Sequence, residues 1–469
     1  MANASAVPPT ADARTTAERL ARYDRPGPRY TSYPTAVEFH EGFGPDAYAA
    51  TLAAAARRPD DPLSAYVHLP FCAERCAFCG CNVIVGRDQG LADRYLDHLE
   101  REIALVAEAL GERRTVVQLH WGGGTPTFFT TAQMARLMDA FEAAFALAPG
   151  AEVAIEVDPR VTTPEQVAWL AERGFTRVSM GVQDFDAAVQ DAIGRHQTAL
   201  QTTALYRRFR AAGVASINLD LVYGLPAQTL DSFDATLDRT LALRPDRVAV
   251  YAYAHLPRAQ KNQTRIDETL LPSQETRLLS FGLARQRFLE AGYVPIGMDH
   301  FALPGDGLAR AAEDRTLHRN FMGYTTQVAP DVVAFGTSAI GEVDGAFAQN
   351  TKKLNRYEAA LAEDRFPVER GYARTADDAL RSDVIRALMV NLHLDVRDVE
   401  RRHGIDFAAY FADALATLRA GPEPDGFVRI APDTLEVTEA GRLFVRNVAM
   451  AFDAHLAKHQ GTGRFSRTV

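Results

Sequence analysis

Between about residue 60 and residue 300, short apolar runs alternate with longer stretches whose apolar residues return every three or four positions. Leu91, Tyr95, Leu99, Ile103, Val106 and Leu110 make one such stripe, and their spacing predicts a helix with one buried face. Before it, Ala65-Tyr66-Val67-His68-Leu69 reads as a short strand that stops at Pro70. Further strands are expected at 116–121, 153–157, 177–182, 216–220 and 247–253, with helices at 131–147, 231–243 and 274–291 among them. The helix after 153–157 is announced by Thr163 as N-cap, Pro164 at its first position, Gln166 completing a capping box and Gly174 beyond its end. A strand-like stretch at 293–298 extends the pattern. Six βα units predict an α/β fold, a parallel sheet curled into a partial (β/α)6 TIM-like barrel.

Past Gly371 the pattern changes. Helices are expected at 377–390 and 407–418, a hairpin at 427–430 with 434–437, and a helix at 439–457 with Thr438 as N-cap. The expected organisation is an N-terminal tail and substrate-cleft segment at 1–40, a catalytic barrel at 41–370, and a smaller, mainly helical C-terminal domain at 371–469. Helices plus a hairpin resemble a winged helix, which raises DNA binding. The last 99 residues carry 13 Lys and Arg against 14 Asp and Glu, which argues against it.

Composition narrows the classes. With 469 residues, 47% hydrophobic and 24% charged, the chain is long and apolar enough for a large core, so disordered and fibrous classes are excluded. The formal charge of -9 disfavours nonspecific nucleic-acid binding and leaves room for an anionic small molecule where basic residues gather. No run approaches the length of a membrane span. Residues 1–16 lack an apolar core and read as a flexible tail; a transit peptide is the weaker alternative, since Asp12 and Glu18 spoil an acid-poor pattern. Four cysteines do not make a disulfide scaffold, so a reducing, cytoplasmic setting is expected.

All four cysteines fall in one loop, Cys72-Ala73-Glu74-Arg75-Cys76-Ala77-Phe78-Cys79-Gly80-Cys81. Clustered thiols in a reducing compartment point to metal or redox chemistry. Structural zinc is one reading, but it usually joins two separated ligand pairs, and no second pair exists here. The spacing Cys-x3-Cys-x2-Cys suits a [4Fe-4S] cluster, with three corners held and the fourth iron free of cysteine. In the expected barrel, this loop, Gly123, Glu156, Gln183, Asp220 and Ala254 all fall at the C-terminal ends of strands, where active sites form.

The motif Cys-x3-Cys-x-Phe-Cys resembles the radical S-adenosylmethionine (SAM) enzymes. Longer stretches resemble the oxygen-independent coproporphyrinogen III oxidase family within them. These include Pro28-Arg29-Tyr30-Thr31-Ser32-Tyr33-Pro34-Thr35, His120-Trp121-Gly122-Gly123-Gly124-Thr125-Pro126-Thr127, Gly297-Met298-Asp299-His300-Phe301 and the segments 155–159, 179–184, 218–226 and 318–327. The resemblance spans nearly the whole chain. It implies oxidative decarboxylation of two propionates of coproporphyrinogen III to vinyls, giving protoporphyrinogen IX in haem biosynthesis. A 5'-deoxyadenosyl radical, made from SAM at the cluster, would take the substrate hydrogen.

By the same resemblance, Cys72, Cys76 and Cys79 ligate the cluster, and Cys81 is an additional cysteine needed for activity, with Tyr66 and His68 near the reacting groups. Two SAM molecules are implied. Tyr66, Phe78, Gly123, Glu156 and Ile340 would meet the first; Gly124, Thr125, Gln183, Arg195, Asp220 and Ala254 would meet the second. Arg29, Tyr30, His318 and Arg319 are candidate partners for the substrate's propionates. A low-potential donor such as flavodoxin, and a monomeric state, are further expectations. A haem-binding chaperone of the same superfamily is the alternative; Gly80-Cys81 and Tyr30-Thr31-Ser32-Tyr33-Pro34 favour the enzyme.

Plainer readings of these residues stand beside the functional ones. Gly122 to Gly124 also suit a tight turn, and Glu156 and Asp220 could cap the helices that follow. Arg195 and the other arginines could be surface charges, while Tyr66, His68 and Phe78 could simply pack.

Overall fold

The computed structural model describes residues 22–459 together with 465, 467 and 468. The stretch read as an N-terminal tail lies outside the described residues. The chain divides into two compact units: Glu38–Arg374, and Thr375–Val469 grouped with Met1–Val37.

The larger unit is built on one twelve-stranded sheet. Its centre is parallel: β1 (Leu63–Leu69), β2 (Thr115–Gly123), β3 (Ala146–Val157), β4 (Arg177–Gln183), β5 (Ser216–Tyr223) and β6 (Arg247–Ala252) pair in chain order. Helices α1 (Pro45–Ala55), α2 (Gln89–Leu110), α3 (Thr131–Ala144), α4 (Pro164–Glu172), α5 (Ala187–Ile193), α6 (Ala199–Ala211), α7 (Leu230–Leu243) and α8 (Gln274–Glu290) precede, link and follow these strands. The sheet ends beyond β6 with the antiparallel pair β7 (Val294–Ile296) and β8 (His300–Ala302). On the other side of β1 the chain returns as β9 (Asp331–Phe335), parallel to β1, followed by antiparallel β10 (Ile340–Val343), β11 (Ala346–Asn350) and β12 (Val368–Ala373). The order β12-β11-β10-β9-β1-β2-β3-β4-β5-β6-β8-β7 leaves the two ends unpaired with each other, so the α/β barrel is partial.

Local chemistry explains most of these elements. Central strands are largely buried, as parallel strands covered by helices require. α2 buries Tyr95, Leu99, Ile103, Val106 and Leu110 along one face and is N-capped by Asp88. The Thr163–Gln166 capping box forms and starts α4 at Pro164.

One helix is shorter than its pattern. α3 stops at Ala144 rather than running to 147, because Phe145 turns extended and packs on Phe141 and Phe335. Ala146 and Leu147 then pair with Thr115 and Val116 as the start of β3. Strands β9 to β12 had no counterpart in the expected pattern; each is only four to six residues long, β9 and β11 fully buried and β10 and β12 partly so.

In the smaller unit, a helix at Ala376–Asn391 opens with a Thr375–Asp378 capping box. Val428–Ile430 and Thr434–Val437 form the expected hairpin, joined by His393–Asp395 as a third strand. The expected helix at 407–418 is split in two, Phe407–Tyr410 and Ala412–Ala420, at Phe411. The expected helix at 439–457 is broken into short helical pieces, α-helical only at Val445–Ala449 and 3-10 at Arg442–Phe444, Met450–Phe452 and Leu456–His459. Gly441 lies against the Phe427 carbonyl too closely for any side chain, and Arg446 is buried with its guanidinium on the carbonyls of Gly27, Pro28 and Arg467. The 22–37 segment therefore groups with the C-terminal unit. Tyr30 donates to Asp453 at 2.8 Å, and the Ala454 amide donates to Tyr33 at 2.9 Å. Among the described residues no helix is long and apolar enough to cross a membrane.

A buried carboxyl ties α2 to the returning strands. Glu102 accepts bonds from the Gly336 amide at 2.7 Å, Asn350 Nδ2 at 2.6 Å and Tyr357 Oη at 2.6 Å. Burial pushes its pKa from 4.5 up to about 7 against the pull of those donors. The folded protein thus holds this proton at higher pH than the unfolded chain does. The associated stability is complete below the unfolded value and is lost as pH rises through about 7. Denaturant titrations at several pH values should show stability falling across this window, by at most about 3 kcal/mol. Glu102→Gln should flatten that slope; an unchanged slope would rule the assignment out.

Candidate active site

The C-terminal ends of the central strands surround a cavity of about 280 Å³. Its lining includes Cys72, Cys76, Phe78, Cys79 and Cys81 from the loop after β1, with Gly123, Gly124, Thr125, Glu156, Gln183, Arg195 and Asp220. Sequence-predicted residues from five separate segments therefore meet in one place.

Backbone contacts shape the loop. Phe71–Cys72 pairs in parallel with Ile84–Val85 and closes the cysteine segment at its base. The turn after β2 packs directly on this base: Gly124 N donates to Leu69 O at 2.9 Å and Thr125 N to Phe71 O at 2.8 Å. A Cβ on Gly124 would stand 2.6 Å from the Pro70 carbonyl carbon. Gly123 has φ +113°, and a Cβ there would stand 2.6 Å from the His68 ring. Close approach explains these glycines better than a simple turn does.

Cys76 is buried, Cys72 and Cys79 are half-buried, and Cys81 is exposed; all four thiols are free. A hydrogen bond from Cys81 draws the Cys79 thiol down to about 6, helped by Arg75 and Arg195. Burial pushes Cys72 up to about 11, so this thiol would have to give up its proton to serve as a metal ligand. Arg160 and Arg195 each place a guanidinium nitrogen 3.7 Å from Cys76 Sγ, and Asp158 joins them at 2.7 and 3.2 Å. Positive charge beside a thiolate offsets the anionic charge of an iron–sulfur centre. Three thiols on one loop at an open cavity fit a cluster that takes one thiolate at each of three irons and leaves the fourth to a small molecule.

Two carboxylates, on β3 and β5 with β4 between them, face the same space. Glu156 accepts from the Gly123 amide at 3.1 Å, and His120 Nε2 lies 3.5 Å away. Burial works to raise its pKa, but His120, the Gly123 amide and His68 together hold the carboxyl below its ordinary value. Asp220 accepts from Ser179 Oγ at 2.9 Å and Asn218 Nδ2 at 2.8 Å; burial, then the charge of Glu156, push it upward. Arg195 is 6% exposed, donating to Gly181 O at 2.9 Å and Gln197 Oε1 at 3.1 Å, so the surface-charge reading does not hold. Gln183 ends β4 with φ +67°, a strained backbone next to a register shift in the sheet.

Other candidates stand back from the cavity. Tyr66 bonds His68 Nδ1 at 3.0 Å and stacks on His120; neither Tyr66 nor His68 lines the space, and nor do Ala254 and Ile340. His318 and Arg319 lie on a small hairpin, His318–Asn320 with Gly323–Thr325, where the Arg319 guanidinium sits 5.1 Å from the Tyr324 ring centre. Arg29 and Tyr30 belong to the smaller unit. Sequence reasoning missed Asp158, Arg160 and Tyr251 in the lining. Only Asp158 carried a signal, as the fourth residue of Ile155-Glu156-Val157-Asp158-Pro159.

Fold and site together define a radical SAM enzyme, and residues 66–240 match the model of the Radical SAM superfamily. The chain is 46% identical over 450 residues to the oxygen-independent coproporphyrinogen III oxidase of Salmonella typhimurium, covering 96% of this chain and 97% of that protein. It is 43% identical to the Pseudomonas aeruginosa protein of the same name, over 97% of this chain and 98% of that one. The solved structure of coproporphyrinogen III oxidase from Escherichia coli, a radical SAM enzyme, matches with a TM-score of 0.88. The two share 45% identity, over 93% of this chain and 98% of that one. The chain belongs to the oxygen-independent coproporphyrinogen III oxidase family.

The tight β2 turn makes a direct prediction. Gly123→Ala must displace the His68 ring and adopt a left-handed backbone, so it should cost about 2 kcal/mol or more. SAM affinity, measured by calorimetry on the reconstituted protein, should fall at least about tenfold. Wild-type melting and binding in this variant would refute the packing argument.

Proposed function

We propose that the protein converts coproporphyrinogen III to protoporphyrinogen IX without oxygen, using a [4Fe-4S] cluster and SAM. The observation that carries this reading is the three-cysteine loop opening on a cavity lined by Glu156, Gln183, Arg195 and Asp220, in a chain of this family. Held by Cys72, Cys76 and Cys79, a cluster would supply the electron that SAM cleavage requires. Each propionate would in turn give up one hydrogen atom, CO2 and one electron, the last to a one-electron acceptor, to become a vinyl group.

In this proposal Cys72, Cys76 and Cys79 each give one thiolate, and Cys81 acts in turnover without ligating. Arg160 and Arg195 offset charge at Cys76, and Asp158 keeps both guanidiniums in place. Glycine at 123 and 124 lets a ligand approach the backbone. Glu156, held ionised, suits a cationic amine or ribose hydroxyls of a first SAM, with Tyr66, Phe78 and Ile340 beside it. Thr125, Gln183, Arg195, Asp220 and Ala254 would serve a second. Asp220, biased toward its proton, can donate as well as accept.

His318, Arg319 and Arg29 remain proposed propionate partners. Tyr30, whose hydroxyl donates to Asp453, is proposed with them. A low-potential one-electron donor such as flavodoxin, a monomeric state and a cytoplasmic setting complete the proposal.

Anaerobic turnover of reconstituted protein with SAM, a low-potential reductant and coproporphyrinogen III, followed by mass spectrometry, tests this. Loss of two CO2 with matching 5'-deoxyadenosine is expected. SAM cleavage with intact porphyrinogen, in a protein that binds haem, would favour the chaperone and overturn the enzyme. Cys81→Ser should keep the full iron load yet lose turnover at least about tenfold, whereas Cys76→Ser should lose the iron.

A further inference from the structure

A segment remote in sequence takes hold of the cysteine loop by its backbone. Beyond β6 lies a 3-10 turn, Lys261–Arg265. Arg265 Nη2 donates to Arg75 O at 2.6 Å. Asn262 Nδ2 donates to Cys76 O, Ala77 O and Cys79 O at 3.2, 2.9 and 2.8 Å. Gln263 Nε2 reaches Phe78 O at 2.9 Å, and Gln260 Nε2 reaches Gly80 O at 3.2 Å. Six consecutive carbonyls, from residue 75 to residue 80, thus receive donors from one short stretch of chain.

Such a run of carbonyls cannot be satisfied by helix or sheet bonding within the loop, so outside donors must define its path. Asn262 and Gln263 are buried, at 8% and 2% exposure, where water competes little for those carbonyls. Gln263 is itself oriented, since its Oε1 accepts from Leu256 N at 2.5 Å. The same Gln263 amide also donates to Ala254 O at 3.1 Å, which links the cysteine loop to the end of β6.

We propose that Asn262 and Gln263 are positioning residues that hold the cysteine loop in its cluster-receiving shape before any cluster is bound. Gln263 also fixes the loop's place relative to the Ala254 segment. The inference rests on the reading of Cys72, Cys76 and Cys79 as the cluster ligands. Partners that orient metal ligands typically change metal retention about tenfold to a hundredfold when removed.

Asn262→Asp and Gln263→Glu keep side-chain size and remove the donors; Arg265→Ala removes the exposed bond to Arg75 and a longer one to Asn262 O, and guards against misfolding of the buried variants. In the full-length apoprotein, hydrogen exchange at loop amides 76–80 should quicken at least about tenfold in the first two variants, and less in the third, with circular dichroism unchanged. After anaerobic reconstitution, the first two should lose iron to a chelator about tenfold faster than wild type, with a broadened electron paramagnetic resonance signal of the reduced cluster on adding SAM. Wild-type exchange in the apoprotein variants overturns the proposal, as does wild-type iron retention. A wild-type chain that takes up no cluster would instead sink the ligand assignment, and the apoprotein exchange would still decide the clamp.

Discussion

The contact on which the site depends is the approach of the β2 turn to the end of β1, backbone against backbone. Gly124 sits on the Pro70 carbonyl with no room for a side chain, and Gly123 faces the His68 ring in a conformation other residues avoid. This contact seats the base of the cysteine loop on the sheet through Leu69 and Phe71. It also points the Gly123 amide at Glu156, so a carboxylate from the neighbouring strand joins the same cavity. Sheet pairing alone would bring the strand ends together, but it would not set the loop at this height.

Charge is distributed unevenly around that frame. The chain as a whole is acidic, yet a buried arginine, Arg195, and a half-buried one, Arg160, stand at Cys76, kept there by one aspartate that would otherwise be an uncompensated buried charge. Removing Asp158 would leave two guanidiniums without their counter-ion, a costlier change than losing a surface pair. Glu156 and Asp220, one held ionised and one biased toward its proton, show how strands of one sheet can give like groups unlike behaviour. His120, the Gly123 amide and His68 make the difference, because they act on the first carboxylate.

The smaller unit has its own logic. Arg446 and Asn447 bind backbone carbonyls of the 22–37 segment, so the chain's early residues complete a core made by its last hundred. That core is held by contacts across more than 400 positions of sequence. No periodic pattern could announce them.

The sequence by itself determined the elements whose signals are local. Apolar periodicity placed α2, the Thr163 capping box placed the start of α4, and the spacing of Cys72, Cys76 and Cys79 named the chemistry. These rest on neighbours within a few residues, where the backbone's own geometry enforces the outcome. Tertiary structure decided the rest. A periodic stretch at 439–457 broke into short helical pieces because Gly441 meets Phe427 and Arg446 is drawn to Gly27 and Pro28. Arg195, a surface charge by pattern, is buried because Asp158 and Gly181 wait for it across the sheet. Asn262 and Gln263, which hold the cysteine loop from about 185 residues away, carry no local signal at all. A hydrogen-bond partner that far along the chain exists only once packing has brought it there.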